Sequence, residues 1–434
     1  MQILSNILAF LVAAGVVIFV HEAGHYLVAK LFRVRVLTFS LGFGKRIWGF
    51  RKGDTDYRVS VIPLGGYVSF AGQDPTSQTD DPAAFLNHPR WQRVLILLAG
   101  PAMNVVLAIL LVAAVFMIGT EMPNPRDISN QIGQVAEGSP AAEAGLRAGD
   151  RIVAIDGGVV SDWRQVTMEI LTSPEQPLEV EFERDGELGS ATLVPREIPK
   201  YELGEAGIFP AAPPRIRGVN AGSPAERAGL RYGDAPLLVD GRPIATIEDF
   251  QAAIEPNAGR EIDLVVDRLG ERVELTLVPE EVDGKGLAGV VIGPFHFQRF
   301  GPIEALRQSV RYNVDTTAEI FAFIGKIFER RISAQSALGG PIEIAAISGA
   351  AARTGFTELI LFMGLISLNL FILNMLPVPV LDGGQILILL VESTLRRDLS
   401  VRIKERMIQV GLVLIVLLMG MALYFDLMKN LPIG

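Results

Sequence analysis

The chain has no cysteine, which excludes disulfides and every thiolate metal site. Histidine is almost as scarce. Its four copies are His21, His25, His88 and His296, so an imidazole metal site has few ways to be assembled. Long stretches lack charge, and the formal net charge of -9 gives no support to a nucleic-acid partner. What remains is strongly apolar. Half of the 434 residues are hydrophobic, and the mean hydropathy is +0.36. The charged residues gather in the middle of the chain, which suggests membrane spans around a polar insert and not one large core.

Four runs are long and apolar enough to span a bilayer, at about 4–28, 94–117, 356–376 and 407–425. The first has no Lys or Arg in Met1–Asn6 and no cleavage-like boundary, so it reads as a retained span and not a signal peptide. Basic residues cluster in 29–93 (Lys30, Arg33, Arg35, Lys45, Arg46 and others) and in 396–406. The positive-inside tendency places both segments in the cytoplasm. Both termini and the insert 118–355 then face the other side, the periplasm of a Gram-negative inner membrane.

The insert carries a repeat. The 20-residue blocks 138–157 and 222–241 are offset by 84 residues and identical at 12 positions. Each reads GSPAxxAGLRxGD, then an apolar run, then Asp-Gly. That pattern predicts a short helix, a glycine stop, a turn and a strand leading into an Asp-Gly turn. Further helices are expected near 161–172 and 246–255, and strands near 178–183 and 262–266. Ala235-Pro236 replaces Arg151-Ile152 in the second copy, and proline lacks the N–H a ladder needs. The blocks resemble PDZ domains of the circularly permuted bacterial type, over 127–200 and 210–295. That resemblance implies peptide or substrate ends bound along a sheet edge. The segment 302–332 has near-helical apolar spacing and reads as one or two amphipathic helices, part of a linker over 300–350.

His21-Glu22-Ala23-Gly24-His25 lies within the first apolar run. The i, i+4 spacing puts both imidazoles on one helix face, where they can share a tetrahedral Zn²⁺. Glu22 is then placed to take a proton from an attacking water. Alone, the motif is short and can be a helix end without metal. Three such polar residues at membrane depth are costly without a partner, however. His88 and His296 read as ordinary surface or packing histidines. A carboxylate is the better third ligand. Asp382 stands alone in the apolar stretch Asn374–Gly384, where Pro377 and Pro379 must loosen the helix.

HEAGH in the first span together with NMLPVPVLDGG in a late span resembles the site-2 protease family of intramembrane metalloproteases. The resemblance covers nearly the whole chain. It implies four transmembrane helices, a membrane-associated β-hairpin region, and two α+β PDZ domains inserted between the second and third spans. The implied modules are 1–117, 127–200, 210–295, 300–350 and 356–434. One zinc ion per chain is implied at His21, His25 and Asp382, with Glu22 as catalytic base and Asn374 binding substrate backbone. Two stretches, Leu41-Gly42-Phe43-Gly44 and Pro63–Val68, resemble the family's hairpin, so Gly42, Phe43 and Gly44 are candidate substrate contacts. From the residues, 36–70 reads as short strands broken by glycines. Leu338–Ile342 resembles a family segment before the third span, without a chemical role. Implied substrates are single-pass membrane proteins in the bilayer, such as an anti-sigma factor after an external cut, or remnant signal peptides. Two readings compete: a non-catalytic membrane scaffold presenting two PDZ domains, and a metal transporter. Glu22 at the water-activating position, with a single polar cluster, favours chemistry.

Overall fold

The computed structural model describes residues 2–74, 80–123, 130–198, 203–211, 214–220, 222–268, 270–282, 284–293, 295–329 and 340–430. The side chain of His296, and Leu338 and Gly339 of the segment before the third span, lie outside the described part. The chain divides into two units. One holds Met1–Ile118, Arg299–Phe321 and Leu338–Gly434, the other Gly119–Gln298 and Ala322–Ala337.

In the first unit, four helices are long and apolar enough to cross a membrane: Leu4–Leu31, Arg90–Ile118, Phe356–Asn374 and Val401–Met428. They match the four apolar runs of the sequence and are called the first to fourth spans below. The second span packs on both the first and the third. The fourth is the least packed, with 6% of its apolar stretch buried. Between the first two spans Val36–Lys52 pairs with Thr55–Phe70, and the ladder folds back on itself: 38–41 pair with both 66–69 and 56–59, while 48–52 pair with 55–59. The pairing runs in short stretches, as the glycines suggest. Gly42 has φ 85°, and a Cβ there would sit 2.5 Å from the Ile62 carbonyl oxygen. Only glycine meets both conditions, and the register shifts around it mark a bulged ladder. The stretch before the charged turn Arg51–Asp54 is apolar and uncovered, with Trp48 67% exposed and Ile47 beside it.

A single amphipathic helix, Pro302–Phe328, occupies most of the linker. A 14-residue helix, Pro341–Thr354, packs on the first span, and Asp426 of the fourth span accepts the Ile342 N–H at 2.9 Å to cap its start. Hydropathy alone does not anticipate another helix, Asp382–Leu395, which begins after a loop at 375–381 and packs on the second span.

The second unit contains two matching modules. Each has a four-stranded antiparallel sheet. One is ordered 158–159, 151–155, 178–184, 187–193, and the other 242–243, 235–239, 262–268, 271–277. Helices Trp163–Leu171 and Ile247–Ile254 stand where the repeat predicts them. The motif letters have local reasons. Ser139 and Ser223 cap short helices by accepting the N–H of Ala142 and Glu226, with Pro140 and Pro224 in the first turn. Asp156 and Asp240 leave their turns to accept the N–H of Glu179 and Asp263, each at 2.9 Å. Each module encloses its own apolar core, around Ile152, Val180 and Leu193 in one and Leu264, Val266 and Leu277 in the other. The modules differ where proline enters. In the first, Ile152 N–H donates to the Asn130 carbonyl at 2.9 Å and Gln131 bridges Arg151. Pro236 has no N–H to offer at the matching position.

Candidate metal centre

His21 and His25 stand one helical turn apart, and both are buried. Two glycines make that burial possible. A Cβ on Gly24 would collide with the Ala99 carbonyl, and a Cβ on Gly100 would collide with the His25 ring. The first and second spans therefore approach closely at the motif. Pro101 leaves the Leu97 carbonyl without its helical donor and loosens that turn. Nearby, His25 Nδ1 donates to the Ile96 carbonyl at 2.8 Å. That bond fixes the tautomer and leaves the Nε2 lone pair facing inward.

Asp382 arrives from the other end of the unit. The third span stops at Asn374, and the new helix starts with Asp382 in its first turn, where the helix dipole favours an anion. The glycines after it have a packing role. A Cβ on Gly383 or Gly384 would strike the carbonyls of Met375 or Val378, so only glycine lets the helix start against its own loop. Asp382 Oδ2 then lies 3.3 Å from His21 Nε2 and 3.4 Å from His25 Nε2, and the two Nε2 atoms are 3.2 Å apart.

These separations fit a metal. Ligands about 2.0–2.2 Å from a tetrahedral Zn²⁺ stand roughly 3.3–3.5 Å from one another. Two imidazoles and one carboxylate also make the donor set of catalytic zinc, which leaves a fourth position open. Among the described residues this is the group of three His or acidic side chains that could hold a metal ion. Glu22 sits between the two histidines in sequence, with Gly66 of the hairpin close against its side chain and a backbone hydrogen bond from Val68.

The other expected residues are placed less directly. Asn374 ends the third span, half-buried, and its amide makes no hydrogen bond among the described residues. Gly42–Gly44 make their contacts within the hairpin, where Phe43 stacks on Tyr67 at 5.9 Å and Ser40 Oγ donates to the Gly42 carbonyl. His88 binds Gln92 at 2.8 Å, away from the cluster in sequence and fold. Sequence reasoning passes over Asn104. Its buried side-chain amide lies 3.2 Å from His21 Nδ1, while Ser367 of the third span donates to its backbone carbonyl at 2.8 Å. A lone asparagine in an apolar span is the signal that could have found it.

Apolar helices that converge a two-histidine, one-carboxylate cluster on a glutamate define a zinc metalloprotease. Residues 9–418 match the family described as peptidase family M50, and the chain belongs to that family, the site-2 proteases. Regulator of sigma-E protease RseP from Salmonella typhimurium is 34% identical over 453 residues, spanning 98% of this chain and 99% of the relative. The protein of that name from Escherichia coli is 34% identical over the same length. A solved PDZ domain of an SdrC-like protein from Listeria monocytogenes is 22% identical, covers 19% of this chain and 87% of its own, and has a TM-score of 0.18.

Proposed function

We propose that this protein cleaves peptide bonds within or beside the transmembrane segment of single-pass membrane proteins. The observation that carries this reading is the 3.2–3.4 Å convergence of His21, His25 and Asp382 from two separate apolar elements, with Glu22 between the histidines. In this reading one Zn²⁺ per chain is held by those three side chains. Bound zinc supplies Lewis acidity toward water and the scissile carbonyl. Glu22 accepts the proton of the attacking water and returns it to the departing amine. Ile96 and Asn104 hold the imidazole rings in orientation. Asn374 and the Gly42–Gly44 stretch engage substrate main chain, the hairpin extending a segment whose carbonyls a helix would hide.

The uncovered apolar stretch around Trp48 supports a hairpin region that lies against the bilayer. The repeats, over 127–200 and 210–295, act as PDZ domains that admit substrates already trimmed outside. The basic loops put the metal centre toward the cytoplasm and the repeats in the periplasm. The sigma-E regulators among the relatives point to an anti-sigma factor as substrate, and remnant signal peptides share the needed form.

The test is cleavage of candidate anti-sigma factors in cells, comparing wild type with Glu22→Gln. Loss of cleavage at unchanged expression is expected, and undiminished cleavage overturns the reading. Deletion of 127–295 tests the gate. Untrimmed substrate is then expected to be cut, and its continued resistance ends the gating idea.

A further inference from the structure

The sheet over 36–70 has two outer edges with different surroundings. Its stretches follow the order 48–52, 55–59, 38–41 and 66–69. The last lies against the reaction centre, where Gly66 comes close to the Glu22 side chain. The first is open. It pairs with 55–59 on one side and with nothing on the other among the described residues.

Charge is out of balance along that open edge. The sheet carries five basic residues, Lys45, Arg46, Arg51, Lys52 and Arg58, against two acids. Both acids are engaged. Asp54 pairs with Arg35 at 3.5 Å, and Asp56 takes Arg46 at 3.2 Å and Arg58 at 3.8 Å. Lys45, Arg51 and Lys52 are exposed and have no acidic partner among the described residues. Between them stand Ile47, Trp48 and Phe50, each more than half exposed. Free cations interleaved with large apolar side chains match an anionic surface that has an apolar layer beneath it.

Placement favours a phospholipid leaflet as that surface. The Tyr57 hydroxyl is hydrogen-bonded to the hydroxyl of Tyr26, which stands five residues before the end of the first span at Leu31. Five helical residues rise ~7.5 Å, so the sheet is held close to the end of the span. Phe50 stacks on Tyr57 at 5.0 Å, and Trp48 meets Phe50 edge-on at 6.4 Å. A row of rings therefore runs from the span to the open edge. Tyrosine and tryptophan gather in this way at membrane–water interfaces, with the apolar ring inward and the polar group at the headgroups. Trp48, Phe50 and Lys52 alternate along the strand and share one face, which sets a cation beside the rings.

We propose that the segment 45–52 binds the headgroups of anionic phospholipids in the cytoplasmic leaflet. Lys45, Arg51 and Lys52 meet the headgroup charge, and Ile47, Trp48 and Phe50 enter the acyl boundary beneath it. This rests on the reading above that lays the hairpin region against the bilayer on the cytoplasmic side. It adds the class of lipid selected. The sheet then has one edge fixed at the membrane surface and the other against Glu22.

The experiment uses the full chain in phosphatidylcholine vesicles, with Trp91→Phe and Trp163→Phe so that Trp48 is the one tryptophan left. Brominated phosphatidylglycerol or brominated phosphatidylcholine is titrated in as a quencher. The anionic lipid is expected to reach half-quenching at a lower fraction than the neutral one, and the gap is expected to narrow as salt is raised. Lys52→Gln should raise the anionic lipid's half-quenching fraction about fivefold, the effect of one cation near a charged membrane surface. Lys45→Gln, Arg51→Gln and Lys52→Gln together should remove the preference, and Lys52→Arg should keep it. An unfolding temperature equal to that of the parent checks the fold of each variant. Equal half-quenching by the two lipids in the parent, or a preference that survives the triple replacement, overturns the proposal. Failure of the underlying placement looks different: neither lipid would then quench Trp48, and the proposal falls with it.

Discussion

Asp150 and Asp234 in the repeats, and Asp382 beside the histidines, are all carboxylates shielded from solvent, yet they are satisfied in different ways. Asp150 receives Arg184 through Nε and Nη2 at 2.6 and 2.7 Å and the Arg147 N–H at 2.7 Å. Asp234 repeats the pattern with Arg268 at 2.8 Å twice and the Arg231 N–H at 2.8 Å. Each guanidinium also reaches a carbonyl at the glycine stop, Gly145 or Gly229. These hydrogen bonds push both guanidinium groups above their ordinary pKa. Nothing is left over for a ligand. Asp382 instead meets two imidazole nitrogens among the described residues, and their own second nitrogens are held from behind. A buried acid with both oxygens bound by donors builds structure, whereas one converging with other electron-pair donors builds a metal site.

The contrast can be broken most forcefully by removing the acids. Asp382→Ala is expected to abolish cleavage at normal expression, while Asp150→Ala keeps the turnover of trimmed substrate within about twofold, well short of the 10²–10⁴-fold that acid–base groups supply. Turnover of a purified single-span substrate measures both. Asp150→Ala and Asp234→Ala should instead each lower the unfolding temperature, because a two-bond ion pair is lost and the Arg147 or Arg231 N–H loses its acceptor. A calorimetric scan of the full chain checks this, and a fall in Asp382→Ala of the same size would erase the distinction.

A smaller effect is expected behind the histidines. Gly100→Ala pushes a methyl group into the His25 ring, and zinc affinity should fall about 10–100-fold, as for other changes that disturb ligand orientation. Competition with a chromophoric chelator reads it. The smallest effect separates the two repeats. Asn130→Ala removes side-chain bonds to the Ile152 and Val160 carbonyls and should cost the first module about 1 kcal/mol. The matching residue of the second module, Pro214, makes no such bond, so urea unfolding of Asn130→Ala should shift the first module and leave the second unaltered.

Much of this arrangement was legible because it rests on local rules. The spans follow from apolar run length, and the repeat elements from glycine stops and Asp-Gly turns. The i, i+4 histidines follow from helical pitch. Asp382 was legible because an acid after two prolines in apolar sequence needs a reason. The missing parts depend on contacts between distant segments. Asn104 matters only because Gly24 and Gly100 bring two spans together around His25. Over 36–70 the glycines signal short strands, but which stretches pair, 38–41 with both 56–59 and 66–69, depends on the chain folding back on itself. The Asp382–Leu395 helix was hidden in apolar sequence because hydropathy cannot separate a loop and a short helix from the end of a span.

The most direct test of the metal centre is the zinc content of the purified full-length chain beside that of His25→Ala and Asp382→Ala, by elemental mass spectrometry. The account predicts one zinc per chain in the wild type and little in either variant. Full zinc retained in Asp382→Ala would contradict it, because the third ligand would then lie elsewhere.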